Sequence, residues 1–403
     1  MATLQQRWRI LTAAPHRMFF ATGLAWLLVW SAWWALLLAA RATGLGSLEP
    51  ARPALLAHGA AALFLAYVPF MYGFLLTVYP RWMPAPQPGR AAMLLAFGLV
   101  NAGNLLFMAS LAAPRAWSLA GWLLATVALA LILITLLRIL LHAEARVAHA
   151  YAVLAGLAAG LAGMLLFGDA LLSGDFSAWP LVRGLGLWGL LLVVYFTVCH
   201  RMIPFFSSRV VPGYVSWRPD WILYLFVALA LARALLETAP ALAWLASVPL
   251  AGVALACALR WRPRQRSEVR LLDVLHISFA WLPLGLGLAA VADLAAAAGL
   301  PGLLGRAPIH ALGLGFLGGM LMAMVTRVTL GHSGRPLALD TLTWRLFLAV
   351  QAAAGLRVAA EFLPAAAGWL SLCAALVWLA ALLAWAMLNL PVYFRPRADG
   401  APG

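Results

Sequence analysis

The chain has 403 residues, of which 65% are hydrophobic and only 10% are charged, and its formal net charge is +15. Soluble domains have about 45–50% apolar and about 25% charged residues, so this composition excludes an ordinary soluble domain. Apolar runs of about 20 residues recur along the whole chain and predict a polytopic membrane protein.

The positive charge comes entirely from arginine, because the 27 basic residues include no lysine. This excludes a P-loop ATPase, which needs the phosphate-binding lysine. It also excludes a Schiff base to retinal or pyridoxal phosphate. The arginines lie singly or in small groups between apolar segments, and the loops are too short for a nucleic-acid-binding module. We therefore expect membrane lipid as a partner and no nucleic acid.

The hydropathy pattern predicts an all-α membrane helix bundle of about twelve transmembrane helices. The bundle forms a single transmembrane domain over residues 1–403, with no separate soluble domain, and no internal repeat is apparent. The predicted spans are approximately 17–40, 53–79, 91–111, 117–140, 147–168, 183–203, 220–237, 241–259, 271–293, 307–330, 342–363 and 366–390.

An even number of spans places both termini on the same side of the membrane. With these spans, 20 of the 27 arginines lie on the side of the termini and the other seven lie opposite. Because positively charged loops stay in the cytoplasm, both termini are predicted to be cytoplasmic.

The positions of the acidic residues and cysteines argue against further classes of membrane protein and of metal site. All twelve acidic residues lie near span ends or in loops, which disfavours a proton-coupled transporter with a carboxylate in mid-membrane. Cys199, Cys257 and Cys373 lie in apolar segments without a CxxC pattern, so covalent c-type haem and thiolate zinc sites are not expected. Buried free thiols are predicted instead.

Two membrane histidines are predicted at the same depth near the outer face. His58 lies about five residues into the second span, and His310 about three residues into the tenth. Neutral imidazole is a good ligand for haem iron and for copper, so the pair could hold a haem between two helices. Arg52 and Arg306 lie just outside, where haem propionates would need cations. Hydrogen bonds between helices and snorkelling arginines remain the alternative.

Other histidines are candidate metal ligands on the inner side. His276 lies about five residues into the ninth span, three residues after Asp273, which could orient the imidazole. His200 lies near the inner end of the sixth span, and His332 follows the tenth. The remaining histidines are expected outside the membrane: His16 before the first span, and His142 and His149 in a solvated loop.

Several segments, in this order, resemble the NnrS family over most of the chain. They are HRMFF at 16–20, the second span from His58 to GFLLTVYPRW at 73–82, HRMIPFFS at 200–207, VLHISFAWL at 274–282, and the most distinctive segment, IHALGLGFLGGMLMAMVTRVTLGHSGRPL at 309–337.

The resemblance implies a bacterial inner-membrane protein that binds haem, of non-covalent b type, and copper, and that serves the nitric oxide response beside denitrification. By position it implies roles for the histidines and arginines within these segments. Two departures stand out: Leu56 replaces a histidine that the family often has before the position of His58, and His200 stands where glycine is more usual. The matching residues are His58, His276, His310, His332, Arg17, Arg201, Arg327 and Arg335.

A looser similarity links the chain to haem-copper oxidases and nitric oxide reductases, which also hold a haem between their second and tenth spans. The first functional hypothesis is therefore a haem protein that binds nitric oxide; its reduction or removal would use electrons from an external donor. Its catalytic residues are unknown. The alternatives are a secondary transporter or channel for a small anion, metal or haem, and thirdly a membrane sensor or assembly subunit.

Overall fold

The computed structural model describes residues 3–44, 49–50, 53–262 and 269–400, and their regular structure is helical, without a strand. The predicted all-α class is confirmed. After a short helix at Leu4–Leu11, twelve long helices are labelled α1 to α12 in chain order. Their bounds are Pro15–Thr43, Ala54–Trp82, Arg90–Ala109, Arg115–Leu141, Ala148–Ser173, Trp179–Val210, Asp220–Thr238, Trp244–Trp261, Arg270–Ala297, Ala307–His332, Thr341–Ala359 and Pro364–Phe394.

Eleven of these helices are long and apolar enough to cross a membrane, which makes the chain a multi-pass membrane protein. The remaining helix, α11, has 19 residues, but Arg345, Gln351 and Arg357 make it less apolar than the others. It packs against α10 and α12 and therefore belongs to the same bundle. The eleventh predicted span is thus a helix, and it ends at Ala359.

Helices α2, α6 and α10 form the centre of the bundle. Their apolar windows are 89%, 89% and 78% buried, whereas those of the other spanning helices are 33–50% buried. The outer helices surround them, and α12 packs on α1. Central helices touch one another through Tyr67, whose hydroxyl donates to the Gly313 carbonyl at 2.9 Å, and through the rings of Tyr195 and Phe316.

Each central helix contains a π-helical segment in its first half. The segments are Ala62–Ala66, Leu185–Leu192 and Ala311–Gly318. Such segments are rare, and they are frequent at functional sites. The three central helices, α2, α6 and α10, are therefore both buried and locally widened. This repeat at every fourth helix was not apparent from the sequence pattern.

Both chain termini lie at one end of the bundle, which we call the termini end; the opposite end is the far end. Arg17 at the start of α1 donates to the backbone carbonyl of Arg395 at 2.9 Å. The backbone N–H of Ala398 donates to the carbonyl of Ser333, just after α10, at 2.8 Å. The cytoplasmic location of this end stays a prediction.

Glycines let α3 and α4 approach each other closely. A Cβ atom on Gly103 would lie 2.9 Å from the carbonyl oxygen of Gly121 and 3.0 Å from the amide nitrogen of Ala125. Small residues of this kind allow membrane helices to pack backbone against backbone.

We expect Gly103→Ala to lower the stability of the bundle, because the backbones of α3 and α4 would have to separate. Overpacking of this kind costs about 1–3 kcal/mol. The matched control is Gly98→Ala in the same helix, where a Cβ would meet no atom within 4 Å. Thermal unfolding in detergent should show a lower Tm for Gly103→Ala only, and equal melting of both variants would contradict the packing argument.

Candidate functional site

The far end brings together two of the predicted ligands, one from each of two central helices. His58 on α2 and His310 on α10 are within electrostatic range of each other. Both are also within range of Arg306, which was predicted, and of Arg357 on α11, which was not. The two histidines that the sequence placed at one depth are therefore neighbours at the far end, and their role as ligands stays a prediction.

The ring of His310 is oriented by the backbone of its own helix. Its Nδ1 lies 3.0 Å from the carbonyl oxygen of Arg306, four residues earlier. A carbonyl oxygen only accepts hydrogen bonds, so Nδ1 carries the proton and Nε2 keeps a free lone pair. Metal-binding histidines commonly have this arrangement, in which a second-layer carbonyl fixes the tautomer.

His58 is held by an aromatic ring instead. Its imidazole stacks on Trp34 of α1 with ring centroids 3.9 Å apart and an interplanar angle of 16°. Within the described residues, neither of its ring nitrogens has a hydrogen-bond partner. His58 therefore also has nitrogens available to a ligand, in an orientation fixed by stacking.

The pair of histidines is accessible at the far end of the bundle. Both side chains are half-buried although they lie on central helices. A Cβ on Gly313, one turn beyond His310, would meet no atom within 4 Å, whereas one on Gly315 would overlap Trp281. The donor set, two imidazoles from different helices, fits a cofactor whose metal accepts imidazole nitrogen.

The arginines of the far-end site differ in their partners. Arg306 is exposed, and Arg357 forms an ion pair with Glu361 at 2.7 Å. Arg52, the other predicted cation, lies outside the described residues. Trp34 and Arg357 were missed by sequence reasoning, because nothing in their own segments indicates that α1 and α11 pack beside His58 and His310.

A second histidine pair lies at the termini end. His332 at the end of α10 faces His16 at the start of α1, with ring centroids 4.5 Å apart. His16 was expected before the membrane span, but it lies in the first turn of α1 and is buried. Arg327 does not join this pair; its guanidinium lies 3.6 Å from the ring centroid of Phe206 on α6.

A third pair links α5 and α6. Nε2 of His149 lies 3.0 Å from Nδ1 of His200, and both residues are buried. Trp82 packs beside His149. The guanidinium of Arg201 lies 5.2 Å from the centroid of the Trp82 ring. The prediction that His149 is solvated was wrong, because α5 begins at Ala148 and turns this side chain inward. His142 is exposed, as predicted.

The five predicted metal ligands therefore do not form one centre. His58 and His310 share the far-end site, whereas His332 and His200 each pair with a different histidine. His276 contacts the Ser207 hydroxyl through Nε2 at 3.2 Å. Within the described residues, no group of three or more histidine, cysteine or acidic side chains is arranged to hold a metal ion. Of the three free cysteines, Cys199 and Cys257 are buried as predicted, but Cys373 is exposed.

Charged residues form a separate buried network at the far end, where α6, α7 and α9 meet. The guanidinium of Arg233 makes two hydrogen bonds with Asp293, at 2.9 and 3.0 Å. It also pairs with Glu237 at 2.9 Å, and Glu237 in turn pairs with Arg183 and accepts from the indole N–H of Trp188 at 2.9 Å. Cations and carboxylates balance here, which indicates a structural network.

The family model for NnrS protein matches residues 10–397, nearly the whole chain. The chain belongs to the NnrS family. None of the curated proteins compared with it matches.

The matched range includes all three histidine pairs and the three π-helical segments of the central helices of the NnrS chain. The segment that resembles the family most, 309–337, runs along α10 from the far-end site to the His16–His332 pair. One helix therefore contributes to two of the three pairs.

The buried network gives a prediction about stability. Arg233→Met should lower the free energy of unfolding by about 3–5 kcal/mol, because it leaves the buried Asp293 carboxylate without a cation and leaves Glu237 with Arg183 alone. Arg41→Met is the control, since Arg41 pairs with Glu49 where both side chains are largely exposed. Chemical unfolding in detergent should show a large loss for Arg233→Met and little change for Arg41→Met; the reverse order would refute the structural role.

Proposed function

We propose that this NnrS protein is a haem protein of the bacterial inner membrane that binds nitric oxide at the haem iron. The observation that carries the proposal is the far-end pair, in which Nε2 of His310 has a free lone pair and His58 has no hydrogen bond among the described residues. Imidazole nitrogens are typical protein ligands of non-covalent haem, and these two would hold it between two helices with one of them displaceable by nitric oxide.

The charge around the pair supports the same cofactor. Haem carries two propionates, and guanidinium groups bind carboxylates through paired hydrogen bonds. Arg306 is exposed and near both histidines, so it is the residue best placed to bind a propionate. Arg357 already forms an ion pair with Glu361. It would therefore contribute its positive charge beside the haem rather than a bond to a propionate. Arg52 would serve as a second cation, as the sequence pattern predicts.

An apolar cavity of about 50 Å³ supports a small gaseous ligand. It lies between the central helices, and its lining includes Met71, Leu75, Val194 and Met320. Such a cavity exceeds the space of one water molecule but lacks polar partners to hold water, so it favours an apolar diatomic ligand. Met320 lies ten residues after His310, which places the cavity roughly 15 Å further along α10.

When bound, haem would supply the iron that takes up nitric oxide and the capacity for electron transfer. The residues of the chain would orient the cofactor through His58 and His310 and would exclude water through the apolar centre. Copper belongs to the proposal as a second metal at one of the other histidine pairs, where two imidazoles could ligate it. Reduction or removal of nitric oxide, in denitrification or stress, would require an external electron donor.

The first test is the optical spectrum of purified variants expressed with ample haem. We expect His310→Ala and His58→Ala to lose most of the Soret absorbance, because each removes an imidazole that would hold the haem, while His142→Ala retains it. His142 is the control because it is exposed at the termini end. Reduced wild-type protein should shift its Soret and α bands when nitric oxide is added.

Two outcomes would contradict the assignment. Full haem content in both far-end variants would remove His58 and His310 from the site, and loss of haem in His16→Ala or His200→Ala alone would move the cofactor to the termini end. Absence of any Soret band in wild-type protein would refute the haem proposal itself.

The cavity gives a second test. Leu75→Phe should slow the binding of nitric oxide to the reduced protein several-fold, because the larger ring fills the space between the central helices. Leu76→Phe is the matched control, since Leu76 is equally buried on α2 but does not line the cavity. Stopped-flow mixing measures both rates, and equal rates in the two variants would show that the ligand does not use this cavity.

A further inference from the structure

The termini end carries a group of cations that the proposed haem site does not use. The termini-end cluster consists of two histidines and four arginines, which come from α1, α2, the end of α10, the segment after it and the C-terminal segment: His16, His332, Arg17, Arg81, Arg335 and Arg397. Arg17, Arg81 and Arg397 are all within electrostatic range of His332, and Arg335 is within range of Arg17.

Polar atoms inside this cluster lack partners. Nδ1 of His16 and Nη1 of Arg335 are both buried without a hydrogen bond, and the His16 side chain as a whole is 6% exposed. A buried donor without a partner costs about 1–3 kcal/mol, so such atoms in a native protein call for an explanation. His16 belongs to the His16–His332 ring contact, and Arg335 follows His332 by three residues, which indicates a hydrogen-bonding ligand at this end of the bundle.

The charges of the cluster are largely uncompensated. Within the described residues, Arg397 forms an ion pair with a carboxylate, that of Asp399, and Arg17, Arg81 and Arg335 form none. Arg17 donates instead to the backbone carbonyls of Tyr393 and Arg395. Three guanidinium groups without a carboxylate match an anion that carries more than one negative charge.

The C-terminal segment already places an anionic group against this loop. Gly334 has a positive φ of +69°, and a Cβ there would overlap the carboxylate of Asp399. Arg397 holds that carboxylate through its Nε at 2.9 Å and also donates to the carbonyl oxygen of His332 at 3.3 Å. The absence of a side chain at Gly334 thus makes room for an acidic oxygen beside Arg335.

We infer that the termini-end cluster is a binding site for a phosphate-type oxyanion, and that the Asp399 carboxylate competes with this ligand at the edge of the site. Guanidinium groups from three separate segments would bind the oxygens, and the imidazole of His16 would use its unpaired nitrogen. The oxyanion could be a free ion or the headgroup of a phospholipid, because Arg81 is exposed at the surface.

The test is titration calorimetry of the purified protein in a neutral detergent, with inorganic phosphate in one series and short-chain phosphatidylglycerol in the other. We expect Arg335→Gln to weaken binding about tenfold or more, because charge-assisted hydrogen bonds are lost. The control is Arg138→Gln, an exposed arginine at the same end and outside the cluster, which should bind as the wild type does. Binding of either ligand with this dependence supports the site and identifies its source.

A second variant keeps the test decisive if Arg335→Gln fails to fold. Asp399→Asn should bind the oxyanion several-fold more tightly, since it removes the competing charge and keeps the shape of the side chain. No binding of either ligand by the wild type, or equal weakening by Arg138→Gln, would overturn the inference. So would loss of haem in Arg335→Gln, because the cluster would then serve the cofactor. The far-end variants His58→Ala and His310→Ala should leave phosphate binding unchanged.

Discussion

The structure depends on one constraint: a polar group can lie within a membrane only where protein shields it from lipid. The chain meets this constraint by surrounding three helices with the others. Lipid contacts the outer helices, which expose leucine and valine, while α2, α6 and α10 remain 78–89% buried over their apolar windows. Each of the three histidine pairs includes a residue of α2, α6 or α10.

The same shielding explains why the central helices can deviate from regular α-helical geometry. A π-helical segment rearranges backbone hydrogen bonds, and neighbouring protein must tolerate the changed direction of the side chains. The segment Ala311–Gly318 follows His310 directly, and Ala62–Ala66 begins four residues after His58. The widened turns therefore lie beside the far-end site, where Gly313 leaves open space and Gly315 admits Trp281.

Hydropathy was enough to predict the helices, because twenty apolar residues in sequence have few alternatives to a spanning helix. Depth was enough to pair His58 with His310, since position within a span is read directly from the sequence. Contacts between distant helices were not accessible in this way. His149 pairs with His200 across 51 positions, and Trp34 and Arg357 reach His58 from α1 and α11. Burial of His16 and His149 was also missed, because a histidine at a span boundary is equally compatible with solvent or with a neighbouring helix.

The two ends of the bundle treat arginine differently, and this difference separates structural charge from binding charge. At the far end, Arg233 has carboxylates on both sides, so its charge is satisfied by the protein itself. At the termini end, Arg17, Arg81 and Arg335 form no ion pair within the described residues, Nδ1 of His16 is buried without a hydrogen bond, and Arg397 pairs with Asp399. Cations near a membrane surface often only determine the orientation of the protein in the membrane. Orientation alone does not require that their side chains be buried or lie close together. Burying an unpaired donor is unfavourable unless a ligand accepts its hydrogen bond, so the geometry at this end is best explained by an anion from outside the chain.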